Sequence, residues 1–227
     1  PPEHKLNIEF IGDSITSGEG LNGRVGEMSF VSAFYGFKNN YACLTSDALD
    51  AYFTVNSQSG WGLYCGFNND MRTTMPRVYF KTEFNGESLI EDRPDKDIIV
   101  INLGTNDCVA STFPAWVDPK TNISYKLNTD ENGILIPEDA DKVVNAGVDF
   151  INKIRSNNPT AKLLWTYGII GDGFKSIIER ICKETNIEYV WGKDCTIEKD
   201  YGSREHPGAN THKATSEILV SKIKTML

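Results

Sequence analysis

The sequence predicts an α/β protein, a three-layer α/β/α sandwich on about five parallel strands. Three observations predict it. Short apolar runs alternate with helical patterns along the chain, as repeated βαβ units require. The run over 97–103, Asp-Ile-Ile-Val-Ile-Asn-Leu, is nearly all apolar, as expected of a strand covered on both faces. And the composition is that of one large domain with a sizeable core: 40% of the 227 residues are hydrophobic and 24% charged.

Taken in order, residues 7–11 read as the first strand, and a glycine-rich loop follows over 12–26. Residues 41–50 read as a helix and 51–56 as the second strand. The third strand is 97–103. The stretch 111–136 reads as a long surface loop or small hairpin; Asn122-Ile-Ser124 within it is a glycosylation acceptor only in a eukaryotic secretory cell. Residues 137–156 form the clearest helix. Pro137 suits its first turn, Glu138, Asp139 and Asp141 complement its dipole, and Val144, Val148, Ile151 and Ile154 mark its apolar stripe. Strands over 162–167 and 187–191 and helices over 174–184 and 211–224 complete the alternation. In such sheets the ligand lies beyond the carboxyl ends of the strands, near the switch in strand order.

Charge and motifs exclude several classes. The 23 lysines and arginines face 31 aspartates and glutamates, a net charge of −8. That balance argues against a nucleic-acid partner or an anionic membrane and makes a neutral substrate the default. No apolar run is long enough to span a bilayer. The opening Pro-Pro-Glu-His-Lys reads as a cut end, of a mature secreted chain or of a domain from a longer protein. The five cysteines (Cys43, Cys65, Cys108, Cys182, Cys195) contain no C-x-x-C pair and leave room for one or two disulfides. With three histidines and no H-E-x-x-H, a metal hydrolase has little support, and the acyl-transfer reading below implies neither a metal nor an organic cofactor.

The residues just past the strands carry the chemistry. Gly12-Asp13-Ser14-Ile15 follows the first, Ser59-Gly60-Trp61-Gly62 the second and Gly104-Thr105-Asn106-Asp107 the third; His206-Pro207-Gly208 lies near the carboxyl terminus. These supply a hydroxyl, a small backbone donor, an amide donor and a base, the parts that acyl transfer needs. Each alone has an ordinary reading: a turn serine, a turn glycine, a helix-capping asparagine, a surface histidine. His4, near the chain start, and His212, in a surface helix, keep that reading. Two look-alikes fail. Gly18-Glu-Gly-Leu-Asn-Gly23 matches a dinucleotide fingerprint, but its glycines do not join strand to helix. The lipase elbow G-x-S-x-G is broken by Thr16.

In this order and on these residues the chain resembles the SGNH (GDSL-type) hydrolases, whose markers match Ser14, Gly60, Asn106 and His206. Ile8-Glu-Phe-Ile-Gly-Asp-Ser-Ile-Thr-Ser-Gly18, Ile101-Asn-Leu-Gly-Thr-Asn-Asp107 and Leu164-Trp-Thr-Tyr-Gly168 resemble the catalytic domain of carbohydrate esterase family 2. The resemblance implies a flavodoxin-like SGNH fold over 1–227 and a domain that follows a β jelly roll absent from this chain. It also implies a secreted, extracellular, monomeric serine esterase that deacetylates xylan, mannan or gluco-oligosaccharides beside other wall-degrading domains. Ser14 would be nucleophile and His206 base, with Ser14, Gly60 and Asn106 forming the oxyanion hole. An SGNH lipase or thioesterase, and a carbohydrate-binding domain with weak turnover, are the alternatives.

One departure stands out. The general pattern sets an aspartate three residues before the histidine, where this chain has Ser203. Asp200 and Glu205 are nearby but lack that spacing. The resemblance to carbohydrate esterase family 2 implies a Ser–His dyad, with a backbone carbonyl on His206 Nδ1, as the first choice; a triad completed by Asp200 or Glu205 is the alternative. For the sugar, Trp61 and Trp191 are the candidate platforms and Asp13 a candidate hydroxyl contact, though holding the loop is its first role. Trp165 is expected in the core and Trp116 as a local anchor.

Overall fold

Ile98, Ile99, Val100 and Ile101 are β-branched, which suits an extended backbone, and all four are fully buried. They form the middle of the sheet. In the computed structural model, which describes residues 5–82, 88–89 and 95–227, the main sheet consists of β1 (Asn7–Gly12), β2 (Tyr52–Ser57), β3 (Ile98–Asn102), β6 (Lys162–Tyr167) and β7 (Glu188–Trp191). His4 lies outside the described residues. The strands pair in the order β2-β1-β3-β6-β7, all parallel. Counting only these strands, that is the flavodoxin-like order, whose direction switches between β1 and β3.

Period-two alternation divides the core. Ile8, Phe10, Ile98 and Val100 face α2 (Tyr41–Ala48) and α8 (Ala209–Met226), which contribute Tyr41, Leu219 and Ile223. Ile11, Ile99 and Ile101 face α5 (Pro137–Asn157) and α6 (Lys175–Thr185), which contribute Val144, Ile151, Ile154, Ile178 and Ile181. Each such side chain stabilises the fold by about 1.5–3 kcal/mol on burial. The stripe expected on α5 is the one it buries, with Val148 at its margin. Asp139 in its first turn accepts the Asn128 N–H at 2.7 Å and the Lys142 ammonium at 2.6 Å, tying the long loop to the helix.

Short elements fill the connections: α1 (Ser14–Ser17), α3 (Met75–Val78), α4 (Thr105–Ala110) and α7 (Cys195–Glu198). The 111–136 stretch contains a two-stranded hairpin, β4 (Trp116–Val117) with β5 (Ser124–Tyr125). There Trp116 packs on Tyr125 and under the Arg72 guanidinium, a local anchor. All five cysteines are free thiols, so the disulfides that the sequence left room for do not form. Trp165 is fully buried. Among the described residues no helix is long and apolar enough to cross a membrane.

His212 departs from its expected surface position. The apolar stripe of α8 is weak in the sequence, but the helix lies against α2, and His212 is fully buried between them. Its Nδ1 accepts the Tyr41 N–H at 3.1 Å, and its ring stacks on Tyr41. Burial holds its pKa down at about 4 against an ordinary value of 6.5. Between those values the unfolded chain binds the extra proton, so the stability present above pH 6.5 is lost as pH falls toward 4. Urea titrations of wild type and His212→Gln between pH 4.5 and 7 are expected to converge at the acid end, where wild type loses its advantage. A difference that does not change with pH would contradict a neutral, buried His212.

Candidate active site

The sequence after β1 is built to present a serine. Asp13 caps α1 by accepting the Ile15 N–H at 3.0 Å, so Ser14 opens a one-turn helix at the carboxyl end of the strand. After β2 the chain turns through Gly60, whose φ of +78° is left-handed and costs a side-chain-bearing residue about 1–2 kcal/mol. After β3 comes α4, with Asn106 in its first turn. Because β2, β1 and β3 are neighbours, Gly60, Ser14 and Asn106 end side by side. Among the described residues neither the Ser14 nor the Gly60 N–H has a protein acceptor. The Asn106 amide donates to the Trp61 carbonyl at 2.8 Å and, at a longer 3.2 Å, to Asp13 Oδ2.

Asp107 joins these loops. Its fully buried carboxylate accepts the N–H groups of Leu63 (2.8 Å), Tyr64 (2.7 Å) and Cys65 (3.0 Å), binding the segment after Gly60 to the helix that carries Asn106.

His206 arrives from the other end of the chain, between α7 and α8. The two residues before it, Arg204 and Glu205, are both left-handed, at φ 55° and 57°. This turn aims the Arg204 carbonyl at His206 Nδ1, 2.8 Å away. The loop after α1 lies on the same turn: Ser203 N–H donates to the Gly20 carbonyl at 3.0 Å. A Cβ on Gly20 would come within 2.8 Å of the His206 Cβ. The loop that leaves Ser14 thus packs on the turn that carries His206. His206 Nε2 makes no hydrogen bond to Ser14 in this structure; such contacts commonly tighten only with substrate.

The other named residues divide. Ser203 is fully buried against Gly23. Asp200 accepts the Thr211 N–H at 2.7 Å and caps α8 rather than meeting His206, and Glu205 is exposed. Asp13 is fully buried, with its oxygens committed to Ile15 and Asn106, so it holds the loop and is withdrawn as a sugar contact. Trp61 is half-buried beside Gly60. Trp191 ends the edge strand, three strands from β1 or roughly 14 Å at the usual spacing. It packs on Tyr167 and Tyr189 there, away from the serine. Among the described residues no group of three or more His, Cys, Asp or Glu side chains converges as a metal site.

No family model matches the chain. Its similarity lies with individual proteins. An acetyl xylan esterase from the rumen bacterium Butyrivibrio proteoclasticus superposes with a TM-score of 0.92 at 31% identity, over 100% of this chain and 65% of that one. A family two carbohydrate esterase from Clostridium thermocellum, solved with cellohexaose, gives 0.79 at 26% identity, over 100% of this chain and 66% of that one. These likenesses point to the enzymes of carbohydrate esterase family 2 as the proteins this chain resembles. Among curated proteins, it is 28% identical to an acetylxylan esterase / glucomannan deacetylase of Cellvibrio japonicus, over 98% of this chain and 60% of that protein. It is 27% identical to a cellulase/esterase of Acetivibrio thermocellus, over 100% of this chain and 26% of that protein. The chain therefore spans only part of each curated relative.

The site holds charges that sequence reading missed. Glu19, 2% exposed, accepts from Arg204 Nε at 2.6 Å and from the Tyr35 hydroxyl at 3.0 Å. The oxygen that accepts from Tyr35, Oε2, lies 3.8 Å from His206 Nε2. Burial pushes the Glu19 carboxyl up, but bonds from Ser59, Arg204 and Tyr35 and the nearness of His206 outweigh it and leave the pKa below the usual value. Burial pulls His206 below 6.5, with Glu19 opposing. Burial also raises Asp13 to about 7. The one sequence signal for this cluster was an acid in the loop after the serine and an arginine two residues before the histidine; only folding sets them together.

Asp107→Ala removes a buried charge and strands three N–H groups. The expected loss is about 3 kcal/mol or more, or a fall in Tm of roughly 10 °C for a domain of this size. Thermal unfolding by circular dichroism measures it, and a fall of under about 2 °C on the same scale would show that the clamp is dispensable.

Proposed function

We propose that this chain is a serine esterase that removes O-acetyl groups from plant cell-wall carbohydrate: xylan, mannan or gluco-oligosaccharides. The observation that carries the proposal is the convergence of Ser14, the free Gly60 and Ser14 N–H groups and Asn106 on one end of the sheet, facing a histidine whose Nδ1 is tied to a carbonyl. The relatives named above as acetylxylan esterases and glucomannan deacetylase support the substrate class.

In the proposed reaction Ser14 Oγ attacks the acetyl carbonyl carbon as its proton passes to His206 Nε2. Nδ1–H, held by the Arg204 carbonyl, leaves Nε2 as the basic nitrogen. The Ser14 and Gly60 N–H groups receive the oxyanion. Asn106 joins them by releasing its longer bond to Asp13. As the bond to the sugar oxygen breaks, Nε2 returns the proton to it, leaving an acetyl-serine. Water, deprotonated by His206, then releases acetate and restores Ser14.

Trp61, next to Gly60, is proposed as the sugar platform. Trp191 is too far along the sheet to share that task at the scissile bond. A groove of about 420 Å³ is lined by Val25, Met28, Ile170, Tyr201 and Glu205, the residue before His206. The proposal extends to a secreted, monomeric domain working beside others, as in the Corynascus family two enzyme that carries a carbohydrate-binding domain.

Ser14→Ala is expected to lower kcat on an acetylated xylo-oligosaccharide by roughly 10⁴–10⁶-fold while leaving the fold intact. Asn106→Ala should cost about 10²–10³-fold, in kcat rather than KM. Acetate release assays measure both. A Ser14→Ala enzyme retaining a tenth of wild-type rate, far above that scale, would remove the nucleophile assignment.

The acid limb of kcat/KM, where His206 takes up its proton, should lie below pH 6.5, because burial disfavours imidazolium. Asp200→Asn and Glu205→Gln should each keep kcat within about tenfold, since losing a true triad acid costs about 10⁴-fold, as in the serine-protease triad. A thousandfold loss in either, approaching that scale, would restore a triad.

A further inference from the structure

The turn that bears His206 has no acid on the Nδ1 side: Ser203 stands at the usual position and the Arg204 carbonyl takes the Nδ1–H. A carboxylate is nevertheless buried against the ring, on the opposite side. Glu19 Oε2 lies 3.8 Å from Nε2, too long for a hydrogen bond and short for two charges. Two partners fix it, and a third steadies one of them. Arg204 Nε holds Oε1 at 2.6 Å, the Tyr35 hydroxyl holds Oε2 at 3.0 Å, and Ser59, beside Gly60, bonds Tyr35 at 2.7 Å. The loop bearing Glu19 leaves α1 directly, with Glu19 N–H on the Ser14 carbonyl at 3.0 Å. The nucleophile, the oxyanion loop and the base therefore share one acid.

We infer that Glu19 is a positioning residue that performs the electrostatic work of the missing triad acid. From the Nε2 side it steadies the charge His206 acquires on taking the Ser14 proton, and through Arg204 it holds the turn that orients the ring. The inference rests on the esterase reading above. A triad acid both selects the tautomer and stabilises imidazolium. Here the two tasks are divided. The Arg204 carbonyl, uncharged, selects the tautomer; Glu19 supplies the charge. Arg204 opposes part of that charge at the ring, but its guanidinium binds Oε1 and leaves Oε2 facing Nε2. The other titratable groups near the ring are Tyr35, bonded to Glu19, and His212, fully buried in α8. The Glu19 charge also reaches Asp13, the cap of α1, whose pKa it helps to raise.

A structural ion pair between Glu19 and Arg204 would hold the loops together without touching the base, and pH profiles separate the two. In Glu19→Gln, kcat is expected to fall roughly 10- to 100-fold, within the range for weakening a general base. KM should stay within about threefold, and the acid limb should move about half to one unit lower, as when an opposite charge is removed. Arg204→Met keeps the carbonyl, removes the opposing cation, and should move the acid limb upward. The same two shifts, in opposite directions, are expected in the pKa of His206 measured by NMR in the substrate-free Ser14→Ala protein. A folded Glu19→Gln with unchanged kcat and an unmoved His206 pKa would overturn the inference. Should Glu19→Gln not fold, the NMR shift in Arg204→Met decides, and its absence overturns the inference equally. The NMR readout needs no turnover, so a wild-type protein that releases no acetate would defeat the esterase reading while leaving the coupling of Glu19 to His206 measured in its own right.

Discussion

Asp107 makes three bonds with no access to water, and the geometry of the site depends on them. Its carboxylate gathers three consecutive N–H groups after β2 while its own backbone begins α4 after β3. The two strands are not neighbours; β1 lies between them. The clamp therefore spans the strand that carries Ser14 and fixes Gly60 and Asn106 on either side of it. In the proposed reaction these groups are donors to a developing oxyanion, and such donors act only if already in position, since their advantage is that nothing reorganises when the charge appears. A buried carboxylate bonded by N–H groups is a rigid way to hold two loops, because releasing it would leave both the charge and its donors unsatisfied.

The second constraint is the turn at 203–206. Two successive left-handed residues with side chains cost about 1–2 kcal/mol each. Bonds from Arg204 N–H to the Glu27 carbonyl, from Ser203 N–H to the Gly20 carbonyl and from the Arg204 guanidinium to Glu19 offset that strain. The strained conformation turns a main-chain carbonyl onto Nδ1. Strain of this kind gathers where a side chain must be aimed. The turn and the loop after α1 support each other, so the serine and the histidine are positioned by one contact region although they lie at opposite ends of the chain.

Much of the fold was legible because its signals are local. The five main strands and the helices α2, α5, α6 and α8 announce themselves through runs and stripes that do not need a partner to be read. The stripe on α5 is the example: Val144, Ile151 and Ile154 are spaced for one face and are buried on it. The one-turn helices α1, α3, α4 and α7 gave no period to detect, being little longer than one turn. His212 misled because α8 buries polar residues, Thr211, Thr215 and Ser216, against α2, so its inner face does not look apolar.

The site divides along the same line. Sequence by itself determined that Ser14, Gly60 and Asn106 follow three strands and that His206 lacks an aspartate three residues before it, since order and spacing are properties of the chain. The tertiary structure alone decided which strands are neighbours, that Asp13 is sealed from solvent, that Trp191 lies at the far edge, and that Glu19 meets Arg204 beside the imidazole. Those facts depend on distances between segments far apart in sequence. Such distances are set by packing, here the docking of the loop after α1 on the turn before α8, and nothing in the local pattern of either segment records them.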